Sequence, residues 1–380
     1  MQHSKPNQLL ITMRMTVLFS VILFIATSCS KTPPESKPRY KVLLADVVKP
    51  SVREVFSDIS LVPLQTEGAP LVAMVSKTVF YQDKVYILDE KQRAIFVFDT
   101  TGKFVLELKR EGKGVGEYPL ITDFEINKFE NCIDIMTCYG EVYSYSLRGE
   151  FLSSYKLPYS IKAVHYFANY SKDTVVFYIA LEGNRLLFYS KSKQEIVYKG
   201  HPYPKCNSNL VANPFYWYNG QLLLHEAYVQ ERYVITPNGL SVNSYLDYGP
   251  HNFSKDEIEL YGSEKLMHDV VSGEFSKMVN VWQSESINHF ICGSYCKKKF
   301  YCAIFDKHSN TSVVFHEFTE KAQFPMASFI GKDLYAVVPP QILNMFISEK
   351  IAQEYKLLDL DKINLYSNPV LIKYKLKSDL

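Results

Sequence analysis

The chain has 380 residues, of which 47% are hydrophobic, 22% charged and 14% aromatic. That composition excludes a disordered tail, a collagen-like fibre and a polytopic membrane protein. Its 42 basic residues are matched by 40 acidic ones, which leaves no electrostatic footprint for nucleic acid.

Met15 to Ala26 is an apolar run, too short for the ~20 residues that a bilayer-spanning helix needs. Arg14 precedes it, and the small residues Ala26-Thr27-Ser28 follow, then Cys29. A cation, a short apolar stretch and small residues make a secretory signal over residues 1–28. Cys29 in that position resembles the lipobox cysteine of bacterial lipoproteins, with Ala26 where Leu is usual. The resemblance implies a diacylglyceryl group on the Cys29 thiol; the alternative is an ordinary signal peptide with an incidental Cys. Residues 29–52, with Pro33, Pro34 and Pro38 near their start, cannot bury a core and are expected to be a tether. The folded domain is expected over 53–380.

The body repeats. Val85-Tyr86-Ile87-Leu88-Asp89, Ile95-Phe96-Val97-Phe98-Asp99 and Lys103-Phe104-Val105 are apolar runs too short for helices. Lacking polar alternation, they read as strands buried on both faces. Asp99-Thr100-Thr101-Gly102 suits a turn closed by a left-handed glycine. The unit recurs with Tyr145 for Phe98, Gly149 for Gly102 and Phe151 for Phe104. Looser copies follow around residues 175–189, 222–239, 289–306 and 333–374. Several strands per repeat at this spacing predict propeller blades. The expected fold is all-β: a six-bladed β-propeller with two helical insertions, at Ser254–Met278 and Pro340–Tyr366. Ile59 to Leu64 is expected to supply the missing outer strand of the sixth blade and close the ring.

Phe98-Asp99-Thr100-Thr101-Gly102-Lys103-Phe104, followed by Gly112-Lys113-Gly114-Val115-Gly116-Glu117-Tyr118, resembles the six-bladed propeller lipoproteins of Gram-negative envelopes, related to NHL-type and TolB-type propellers. Val115 stands where that family has Pro. Asn368-Pro369-Val370-Leu371 resembles its closing motif. The resemblance implies a lipid-anchored outer-membrane protein and no particular reaction. Ser30-Lys31-Thr32 lacks the acidic cluster of a surface-export signal, which points to the periplasmic side.

The glycine loop at 112–116 is followed by a strand rather than a helix, so no helix N-terminus faces an anion. Cys292 and Cys302 lie equidistant from Lys297, the expected centre of a hairpin, and are candidates for a disulfide; buried free thiols are the other reading. Cysteine spacing with no matching His pair predicts no metal site, and no catalytic residue or cofactor is assigned. Asp123 and Glu125 share a strand face, whereas the adjacent His225 and Glu226 point apart. Tyr216, Trp217 and Tyr218 lie on the strand expected to line the channel, where rings stack on sugars and other flat apolar faces. The expected function is a binding or interaction module for a glycan, peptide or protein partner. A polysaccharide lyase or glycoside hydrolase on the same fold is the alternative.

Overall fold

Asp99 shows why the first repeat turns where it does. Its Oδ1 accepts hydrogen bonds from the backbone N–H of Thr101 at 2.9 Å and of Lys103 at 3.0 Å. Gly102 then takes φ +90°, where a side chain would also collide with the Pro63 carbonyl. Gly149 repeats the left-handed turn at φ +82° in the second copy. A bulge precedes each turn, between Val97 and Phe98 and between Ser144 and Tyr145. These local devices fold each repeat into antiparallel hairpins.

The computed structural model describes residues 37–158, 164–179, 183–203, 213–260, 268–269, 272–273, 276–357, 360 and 363–378. Residues 1–28, Cys29 and Cys206 lie outside the described residues. The described residues from Arg39 onward form a six-bladed β-propeller, as the repeats predict. Blade one runs from the inner strand Lys77–Tyr81 through Lys84–Asp89 and Ala94–Asp99 to the outer strand Phe104–Leu108. The next blades begin at the inner strands Asp123–Asn127, Val164–Asn169, Phe215–Tyr218 and Val279–Glu285, each followed by three more strands in order. Blade six combines Ser328–Ile330, Asp333–Val338 and Val370–Leu376 with an outer strand from the other end of the chain, Phe56–Pro63. Leu61 faces Ile372 and Ile59 faces Tyr374 across that closure.

The hydrophobic core is divided among the blade interfaces. Tyr86, Val97, Phe124 and Ile135 pack blade one on blade two. Leu246, Phe290, Cys292 and Phe305 pack four on five. Trp282, Cys302, Leu334 and Ile372 pack five on six. Second and third strands are therefore buried on both faces, as in Lys84–Asp89 and Ala94–Asp99.

Two expectations are corrected. Cys292 and Cys302 are free thiols. The hairpin turns on two residues, Lys297 and Lys298, both at positive φ (49° and 62°), so Cys292 faces Ala303 and Cys302 faces Gly293. A one-residue offset sends the two thiols to opposite sheet faces, which is why they sit in different interface clusters. The tether is shorter than expected. Arg39–Lys41 adds a parallel fifth strand to the outer edge of blade four, and Val47–Val48 does the same for blade five. Val42 is buried between them, and the Tyr40 ring lies 4.5 Å from that of Phe290. The segment makes this strap by pairing its backbone with two open edges and by packing Tyr40, Val42, Leu44 and Val47 on the core between blades four and five.

The helical insertions are short among the described residues: Lys255–Leu260 in the first, and Pro340–Met345 and Glu349–Glu354 in the second. They occupy a crossing from blade four to blade five and the link between the second and third strands of blade six. Antiparallel order puts both kinds of link on one face, here termed the top. Turns between first and second strands, and between third and fourth, emerge on the opposite base face.

Candidate functional site

The aromatic run Phe215–Tyr218 is the inner strand of blade four. It pairs with Gln221–Leu224 through Asn219-Gly220, both at positive φ, a type I′ hairpin signature. Strand alternation then separates the candidate rings. Phe215 and Trp217 pack toward blade three. Tyr216 and Tyr218 turn toward blade five.

Tyr216 is half-buried and its hydroxyl is engaged. It receives a hydrogen bond from Arg232 and donates toward Glu285 at 3.3 Å. The Arg232 guanidinium also donates to Glu285 at 2.5 Å, Gln283 at 2.8 Å and Ser244 at 2.6 Å, with the Phe290 ring 3.9 Å beneath it. Lys307 completes the group at 2.5 Å from Glu285 and lies 4.1 Å over the Tyr218 ring. Tyr216 and Tyr218 thus belong to a polar tie between blades four and five.

Trp217 opens instead onto a groove of about 780 Å³ on the base face. Lys128 and Phe129 come from the first turn of blade two, Tyr170 from that of blade three, and Asn219 and Gln221 from blade four. The Phe129 ring meets the Trp217 ring edge-on at 6.1 Å, and Lys128 Nζ lies 5.8 Å from the same indole. Phe129 is 46% exposed. The site thus joins one predicted residue to three that sequence reasoning missed. Their common signal was available: all three follow the inner strand of their blades, as Asn219-Gly220 does in blade four.

The central channel holds two further cavities, of about 260 and 370 Å³. Thr78, Asn213, Phe215, Tyr216, Gln283 and Ser328 line both. The charged residues near the axis are bound to one another. Asp123 and Glu125 share a face as expected, and both hold Lys77, at 2.7 and 2.8 Å. Burial pushes the Asp123 carboxyl above the usual range, with Lys77 opposing it. Burial alone would lower the Lys77 ammonium, but the two carboxylates outweigh it and raise it.

His225 and Glu226 diverge, as their adjacency on an extended chain predicts. His225 Nε2 bonds the Asn213 carbonyl at 2.9 Å, while burial and the Arg232 charge push the imidazole down to about 4. Glu226 accepts from Tyr178 at 2.8 Å and Arg185 at 3.0 Å, and lies 2.7 Å from His201 Nε2. Burial would raise its carboxyl, but His201 and Arg185 outweigh burial and hold it at about 2.

In the loop at 112–118 the Glu117 carboxylate occupies the space an anion would need. It accepts from Gly114 N–H at 2.8 Å and sits against Gly112. Gly116, at φ +72°, lies so close to Phe151 that a Cβ would come within 2.7 Å of its ring. Among the described residues no group of three or more His, Cys, Asp or Glu is placed to hold a metal. Among them, too, no helix is long and apolar enough to cross a membrane.

The fold is shared with solved structures of low sequence identity. A Bacteroides fragilis protein described as exported aligns with TM-score 0.71 and 14% identity, covering 90% of this chain and 99% of its own. A Bacteroides vulgatus member of the DUF4221 family aligns with TM-score 0.54 and 10% identity, covering 85% and 97%. No curated protein matches the sequence. Residues 45–375 match the family described as a domain of unknown function, DUF4934, and the chain belongs to that family.

Proposed function

We propose that this propeller is an exported binding module, held at the periplasmic side of the outer membrane by acyl groups on Cys29, that takes a glycan in the base-face groove. The observation that carries the reading is the Trp217–Phe129 ring pair, set in an open groove of about 780 Å³ with Tyr170 and hydrogen-bonding side chains around it. Apolar rings with a few polar groups at the rim fit the flat faces and hydroxyls of sugars. The buried carboxylates support binding over catalysis, since Asp123, Glu125, Glu226 and Glu285 are each engaged by a cation from a neighbouring blade.

Titration calorimetry against a glycan panel tests the groove. Trp217→Ala is expected to weaken binding by about tenfold or more, corresponding to ~1.4 kcal/mol, with only a modest drop in melting temperature, since the ring is partly buried against blade three. Equal loss of binding and stability would make Trp217 a packing residue. Cys29→Ser is expected to move the protein from the membrane fraction to the soluble periplasm; retention in the membrane would remove the anchor from the reading.

A further inference from the structure

Beside the aromatic groove, on the other side of the same turns, lies a second pocket of about 530 Å³. Its wall includes Ser153 and Ser154 from the outer strand of blade two and Lys172 and Lys191 from blade three. The two pockets share their dividing wall. Phe129 lines the first and its neighbour Glu130 the second; Tyr170 lines the first and Lys172 the second. The bases of these turns are tied, with Asn127 donating to Asn169 at 3.4 Å. A ligand lying over both would be a chain, apolar rings under one part and hydroxyls under the next.

Three lysines, Lys128, Lys172 and Lys191, and two carboxylates, Glu130 and Asp173, line the two pockets, an excess of one positive charge. Glu130 is held by Lys191 at 2.6 Å. Asp173 accepts from Ser190 at 2.7 Å and from the Ser192 backbone at 2.7 Å. Lys128 and Lys172 are exposed, stand one in each pocket, and make no ion pair among the described residues. Lys128 Nζ instead lies over the Trp217 ring, 5.8 Å from its centroid.

We propose that the base face of blades two to four takes an acidic polysaccharide laid across both pockets, with Lys128 and Lys172 reading its carboxylate or sulfate groups. This rests on the glycan reading above and names its substrate class. Exposed ion pairs are individually weak and screened by salt, so the lysines tune selectivity while the rings and hydroxyls hold the chain.

The test is binding of the full chain to an array of uronate-containing, sulfated and neutral polysaccharides at low and high salt, alongside Lys128→Gln/Lys172→Gln. The expected result is preference for acidic chains at low salt, reduced about three- to tenfold in the double variant, with melting temperature unchanged and a smaller loss on neutral chains than on acidic ones. The uronate and sulfate arms identify which anion is read. Glycan binding without acidic preference, or a preference that survives the double variant, overturns this proposal and leaves the groove reading in place. Binding of no glycan at all overturns both.

Discussion

Arg185 of blade three and Glu226 of blade four meet at 3.0 Å in an interface where neither side chain is more than 4% exposed. Removing one partner strands the other charge in a dry site. Glu226→Ala is therefore expected to cost about 3–5 kcal/mol, and the contacts of Glu226 with His201 and Arg185 together set an acid dependence. The Glu226 carboxyl titrates at about 2 in the fold against an ordinary 4.5, so the unfolded chain binds the extra proton as pH falls. The contribution is complete above about 4.5 and lost on the way down to about 2. Melting temperatures across that window should fall less steeply for Glu226→Gln than for the natural chain; identical slopes would deny the pair a stabilising role.

The thiols give a second expectation. Cys292 and Cys302 face opposite blade interfaces, and burial pushes the Cys292 thiol up to about 12. Neither should form a disulfide or react with iodoacetamide until the propeller unfolds, because the thiolate is the reactive form. Reductant should leave the melting temperature unchanged. A Cys292–Cys302 cross-link in a peptide map of native protein would contradict the observed register.

These thiols mark the limit of what the sequence discloses. Blade number and strand order are legible because each repeat carries its own turn chemistry: Asp99 and Gly102 set the first hairpin whatever surrounds them. The tip at Lys297-Lys298 carries no such residue, and a shift of one position reverses every side chain beyond it. The strap at Arg39–Lys41 was missed for a different reason: its apolar residues Tyr40, Val42, Leu44 and Val47 follow a proline-rich stretch, and they find partners only on blades four and five, far along the chain. Trp217 was visible as an aromatic on an inner strand. Lys128, Phe129 and Tyr170 join it because blades two, three and four stand side by side, and blades two and three carry them just past their inner strands.

Lys297 and Lys298 also offer a stability test. Both sit at left-handed φ, where an L side chain costs about 1–2 kcal/mol and Asn-Gly is preferred. Lys297→Asn combined with Lys298→Gly should raise stability by about 1 kcal/mol or more in urea unfolding. Part of the gain will be offset, because the Lys298 stem packs over Gly273. A loss of stability would show that this packing outweighs the backbone strain.

The N-terminal segment performs two separable tasks, and truncation can divide them. Deletion through Val48 removes both strap strands but leaves Phe56–Pro63 paired with Val370–Leu376. The ring stays closed, while the edges of blades four and five lose their cover; the expected phenotype is a folded protein with lower solubility. Deletion through Pro63 also removes Phe56, Ile59 and Leu61 from the cluster holding Phe324 and Tyr374. Phe56 is 1% exposed, and Phe56→Ala alone should cost about 3–5 kcal/mol. With blade six unpaired along its outer edge, the longer deletion should lose its sharp thermal transition and aggregate on heating. Calorimetry and size-exclusion chromatography of the two truncations side by side decide the matter. If both melt alike, closure by the N-terminal strand is not what holds the ring together.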